Sequence, residues 1–132
     1  MSQKFSNNQI VSRAREILSD TYAEAYRWSN LMLLRYLYEG IQKLHMIRPE
    51  SRYDGVSLVE YSEPDLTTSG DESSDNLKAE EILSMDFPLN PRWKDAIVHY
   101  ICAMAFQIDN SDTMNAQRYS EHIGMFTTWG KM

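Results

Sequence analysis

The chain has 132 residues, a formal net charge of −6, 42% hydrophobic and 24% charged residues, and a single cysteine, Cys102. That describes one ordinary globular domain with a real core, and it excludes an internal disulfide and the basic stripe that neutralises nucleic-acid phosphates. The N-terminus lacks the apolar run of a signal peptide, and no stretch approaches the roughly 20 apolar residues of a membrane span, so a soluble protein made inside a cell, with no membrane partner, is expected.

Residues 1–6 are polar. Ser6 can cap a first helix of about Asn7 to Asp20, with Ile10, Ala14, Ile17 and Leu18 as its inward stripe. Tyr22, Tyr26 and Trp28 crowd the junction that follows. A hydrophobic corner between two helices accounts for them better than a ligand-binding aromatic box, which would need polar partners. The next helix is the organising element. Ser29, or failing it Asn30, caps its start, and Pro49 biases Arg48 out of helical angles and ends it. Leu31, Leu34, Tyr38, Ile41 and His45 form one row, with Leu33, Leu37, Leu44 and Ile47 in a second beside it. A stripe that wide has to be covered from two sides, by the chain itself or by a neighbouring copy.

After Pro49 the pattern changes. Tyr53-Asp54-Gly55 is a turn signal, and Val56 to Tyr61 is rich in β-formers and long enough for one strand. Its partner is either a second strand near Ile82 to Phe87 or another molecule. Residues 60–81 hold eight acids against Lys78, so the rest of the chain sums to about +1. Ser62 to Asn76, dense in Ser, Thr, Gly, Asp and Glu, is expected to be mobile, its acids solvated with near-normal pKa values. Leu77 to Met85 can supply one or two turns of helix. Asn90-Pro91 then reads as an N-cap with proline at the first helical position. Trp93, Ala96, Ile97, Tyr100, Ile101, Met104, Ala105 and Ile108 carry that helix to Asp109. Ser111, Asp112 or Thr113 caps a last helix, with Met114, Tyr119, Ile123 and Phe126 inward, Trp129 near its end and Gly130 as its stop.

The expected fold is mainly α. A four-helix body in two helical pairs (7–49 and 90–130) carries a long strand-containing, partly flexible insertion (50–88), all within one domain, 1–132. The three histidines, His45, His99 and His122, fit no metal-binding spacing. His99 and Cys102 lie one helical turn apart, but a thiol facing a helical core is poorly activated, and a buried small thiol is the simpler account. Glu39 and Asp95 are held on helices, yet exposed helix-face charges explain them equally well. No catalytic residue, cofactor or metal is therefore assigned.

Four features together resemble the head-to-tail adaptor (connector, or head-completion) proteins of tailed bacteriophages. These are Leu18-Ser19-Asp20 closing a short first helix, Arg27-Trp28-Ser29-Asn30 leading into a Leu-rich helix, Ile47-Arg48-Pro49 at its close, and a helix Ala96 to Asp109 followed by Asn115-Ala116-x-x-Tyr119 and Phe126. Met32 stands where members often carry a capping-box acid, and Gly40 where alanine is usual, at about 1 kcal/mol in a helix interior. The acidic run from Glu60 to Asp75 has no counterpart in the resemblance.

The resemblance implies a structural virion protein without an active site. It would form a ring, typically of twelve subunits, at the head–tail junction, after assembly in the host cytoplasm. Its partners would be the portal protein and a tail or nozzle protein, with only non-specific proximity to genomic DNA. On that reading Tyr53, Val56, Leu58, Tyr61, Phe87 and Trp129 are candidate subunit or portal contacts, and Glu60, Glu63 and Asp65 candidate channel-facing acids. A non-viral helical interaction module is the alternative, and a small enzyme or metal protein using His99 or His122 the third reading.

Overall fold

A computed structural model describes residues 5–20, 28–54, 57–58, 63–108 and 113–131. Among these residues the protein is mainly α. Five helices, α1 (Asn7–Leu18), α2 (Asn30–Ile47), α3 (Glu72–Leu83), α4 (Lys94–Ile108) and α5 (Thr113–Lys131), pack into a compact body.

Local chemistry sets the helix starts. The Ser6 hydroxyl accepts from the Gln9 amide while the Gln9 side chain accepts from the Ser6 amide, a complete capping box for α1. Ser29 caps α2 by accepting from the Met32 amide at 3.1 Å. Asn90 accepts from the Arg92 amide at 3.0 Å. Pro91 there opens a 3-10 turn, Pro91–Trp93, and regular helix begins only at Lys94. α5 runs one residue past Gly130, a difference within the slack of any helix end.

α1 stops two residues short of Asp20 because Ser19 turns left-handed, at φ 57° and ψ 36°. An exposed serine holds that conformation against its own Cβ. Ser19→Gly is therefore expected to stabilise the fold by up to about 1 kcal/mol, read as a raised urea midpoint at unchanged m-value. The buried stripe of α1 is also rotated from the expected one: Val11 (2% exposed) and Arg15 (4%) take the inner positions, while Ile17 and Leu18 are only partly covered.

Both rows of α2 are buried by the protein itself. Leu33, Leu34, Leu37, Ile41 and Leu44 are fully enclosed, and only Ile47 reaches the surface. No neighbouring copy is needed to cover this helix. α4 lies beside it, buried almost all round through Ala96, Ile97, Ile101, Cys102, Ala103 and Ala105. α1 packs more extensively on α4 than on α2, so the first two helices do not form the simple pair expected, whereas α4 and α5 do pair closely.

Gly40 has a packing reason. A Cβ there would stand 3.0 Å from the Tyr100 ring, which α4 lays against α2 at this point. Tyr100 is fixed on its other sides by its hydroxyl, which donates to Glu39 at 2.7 Å, and by the edge of Phe126 at 5.1 Å. Gly40→Ala should regain about 1 kcal/mol of helix propensity and lose about 1–3 kcal/mol to overpacking. A net loss is the expected result in a denaturation curve.

The insertion departs most from expectation. The acidic run does not stay loose: α3 begins at Glu72, inside it. The Ser/Asp-rich composition supplies the N-cap, Asp71, which accepts from the Ser73 amide, while Asp75 in the first turn ties back by accepting from the Ser69 amide and hydroxyl. Glu72 and Asp75 also favour the positive end of the helix. Ala79, Ile82 and Leu83 bury against the body.

Ahead of α3, residues 63–67 are strapped across α2. Arg35 donates to the Leu66 carbonyl at 2.8 Å, Gln42 to Glu63 at 2.9 Å, and Lys78 to the Thr67 carbonyl at 2.8 Å. The expected strand from Val56 to Tyr61 is described only at Ser57–Leu58 (β2). Its partner within the chain is not Ile82 to Phe87 but the preceding Tyr53–Asp54 (β1), with Tyr53 opposite Leu58. The stretch around Phe87 pairs instead with the start of the chain: Asn7 N–H donates to the Met85 carbonyl at 2.9 Å, and Phe87 N–H to the Phe5 carbonyl.

Candidate functional site

Three arrangements stand out from the packed body. The first is a buried cation. Arg15 donates to Asp20 at 2.7 Å, to the Trp28 carbonyl at 2.8 Å and to the Asn30 side chain at 2.7 Å, while the Trp28 amide donates back to Asp20 at 3.3 Å. Arg15 and Asp20 are almost wholly enclosed, their side chains 5% and 8% exposed. Two motifs separate in sequence, Leu18-Ser19-Asp20 and Trp28-Ser29-Asn30, are thus fastened by one guanidinium that neither contains. Sequence reasoning missed Arg15. The available signal was an arginine on the apolar stripe of α1, with an aspartate five residues on.

The second is a groove of about 430 Å³ where α2, α4 and α5 meet, lined by Lys43, Met46, Tyr100, Ile123 and Phe126 among others. Its rim carries exposed apolar side chains, Met46 at 76% and Ile47 at 36%. Glu39 also borders a second cavity, of about 460 Å³, walled by the strap of residues 63–67. The outward strip of α2 is therefore a trough between strap and α5.

The third is a histidine pair. His99 of α4 and His122 of α5 bring their Nδ1 atoms to 3.0 Å, with ring centroids 5.2 Å apart. Phe106 stacks on His122 at 5.7 Å. His99 therefore works with His122, not with Cys102. Cys102 packs toward α1, its sulfur 3.8 Å from the Ala14 carbonyl, and burial pushes its thiol up to about 12. A thiol so held is no nucleophile. Among the described residues no group of three or more His, Cys, Asp or Glu side chains is placed to hold a metal ion, and no helix is long and apolar enough to cross a membrane.

The residues singled out from sequence are scattered. Tyr53 is exposed, at 45%. Phe87, 6% exposed, sits in the core beside the seam with Phe5. Val56, Glu60 and Tyr61, and the side chains of Leu58 and Trp129, lie outside the described residues, as do Tyr22 and Tyr26. Glu63 is exposed and accepts from Gln42.

Asp65 is exposed but not merely solvated. Hydrogen bonds from Thr67, ahead of the charge of Lys78, hold its carboxyl below the usual range, and the Ser69 amide and hydroxyl do the same for Asp75. Near-normal titration was the expectation for both.

No family model, curated protein or solved structure matches this chain. The functional reading therefore rests on its own residues.

Proposed function

We propose that this protein is a structural adaptor of a tailed-phage particle. Its copies assemble into a ring that joins the portal to the next tail component and extends the DNA channel. It works without catalysis. The observation that carries the reading is the Arg15 node. The motif residues on which the adaptor resemblance rests, Asp20, Trp28 and Asn30, converge on one buried cation and make a rigid corner between α1 and α2. A protein whose task is geometric needs such fixed corners.

The trough along α2, with Met46 and Ile47 on its rim, is the subunit contact in this reading. Exposed methionines adapt their shape to a neighbour at low cost. The strap and α3 carry the acidity to one side of it. There Glu63 and Asp65 line the second cavity and offer DNA a surface it does not adhere to.

One observation favours a second reading, a non-viral helical interaction module. Both apolar rows of α2 are already covered within the chain, so the subunit is self-sufficient. Mass measured by light scattering, alone and with a purified portal ring, separates the two. A ring-sized complex with the portal supports the adaptor. A monomer or dimer that ignores several portals supports the module.

A further inference from the structure

The His99–His122 contact joins α5 to the body through two titratable side chains, and the adaptor reading makes no use of it. In the neutral pair one ring donates Nδ1–H and the other accepts at its bare Nδ1, across 3.0 Å. We propose that this pair is a two-proton latch that holds α5 on α4 and opens when both rings are charged. The proposal stands whether or not the trough is a subunit contact.

The two protons differ in effect. The first enters at Nε2 of the donor ring. That ring keeps its Nδ1–H, and the contact becomes a charge-assisted imidazolium–imidazole bond. The second can enter only at the accepting Nδ1; it leaves two cations facing each other, with two N–H groups head to head at hydrogen-bond distance. The contact then turns repulsive.

Surrounding groups set where this happens. Burial, first, lowers the pKa of both rings, and the charge of Arg13 on α1 lowers His99 further. His99 itself lowers His122. Against these act Asp95 on α4, facing His99, and Glu121 on α5, facing His122. Arg118 lies over the Phe106 ring that stacks on His122 and adds no proton acceptor. Histidines depressed by folding contribute stability that is present above their unfolded pKa, about 6.5, and is lost as pH falls through the folded values. The latch is closed at neutral pH and opens in acid.

What α5 covers makes the opening consequential. Tyr100, Phe106 and Phe126 lie in the contact between α4 and α5, and release would uncover them and remove one wall of the trough.

The test uses the intact protein. Imidazole resonances are followed by NMR from pH 8 to 4.5, and amide exchange, corrected for its intrinsic pH dependence, is read separately in α2 and α5. The latch requires His99 and His122 to titrate in two steps more than about one unit apart. It also requires α5 to lose about tenfold or more of its protection with the second step while α2 keeps its own. His45, held by Ser51 at 2.6 Å, serves as the histidine outside the latch. In His122→Gln the remaining His99 should titrate once, and α5 protection should no longer follow it. Independent titration of the two rings with one midpoint, or unchanged α5 protection through both steps in the wild type, overturns the proposal without need of any variant.

Discussion

Replacing Arg15 by methionine should destabilise the protein by about 3–5 kcal/mol, the cost of breaking a buried ion pair from one side. Asp20 would keep the Trp28 amide as a donor but lose its enclosed counter-charge, and the Trp28 carbonyl and Asn30 side chain would lose the guanidinium. Methionine restores most of the volume, so the loss reports the polar node and not a cavity. For a chain of this size the melting temperature should fall on the order of 10–20 °C. The double variant Arg15→Met with Asp20→Leu should recover part of the loss, because no buried charge is then stranded. Equal stability of the single variant and the wild type would show that the node holds nothing together.

Leu37→Ala should cost about 3–5 kcal/mol, since Leu37 is fully enclosed midway along α2 and its neighbours cannot collapse into the space. Met46 lies nine residues further along the same helix but is 76% exposed, and Met46→Ala should change stability by less than about 0.5 kcal/mol. The two variants separate folding from assembly. In the adaptor reading Met46→Ala, or more sharply Met46→Glu, leaves the melting curve in place and weakens ring formation with the portal. A Met46→Glu protein that forms rings as well as the wild type would move the subunit contact away from the trough.

The local signals in the sequence proved the dependable ones. Ser6, Ser29 and Asn90 cap helices because a cap needs only residues within three positions of itself. The rows of α2 are legible for the same reason, since helical spacing is short-ranged. The insertion was hidden because its Ser, Asp and Glu residues serve two purposes. The composition that keeps a segment solvated also supplies Asp71 as a cap, Asp75 as a tie to Ser69 and Asp65 as an anchor for Lys78. Nothing local distinguishes these uses; the difference lies in Arg35 and Gln42, which reach the strap from α2, and in Lys78 of α3, which closes on it from the other side.

The candidate site was less legible than the fold. His99 and His122 are 23 residues apart on different helices and share no motif spacing. Arg15 resembles a surface cation until the turn at Ser19 brings Asp20 back to it. Gly40 reads as a defect in α2 until the ring of Tyr100 occupies the space that a side chain would take.

The seam at the start of α1 has a consequence for synthesis. Asn7, fully buried, donates to the Ile82 carbonyl across 75 residues of chain, and its own amide waits for Met85. A ribosome adding about 5–20 residues per second needs about 4–15 s to deliver those acceptors after Asn7 is made. Until then the capping box and the Arg15 node can form, because their partners lie within fifteen residues, but the start of the helix lacks its seam. Closing so long a loop is also the kind of step that slows folding in vitro. α1 is thus fastened at its Arg15 end early and at its Asn7 end late.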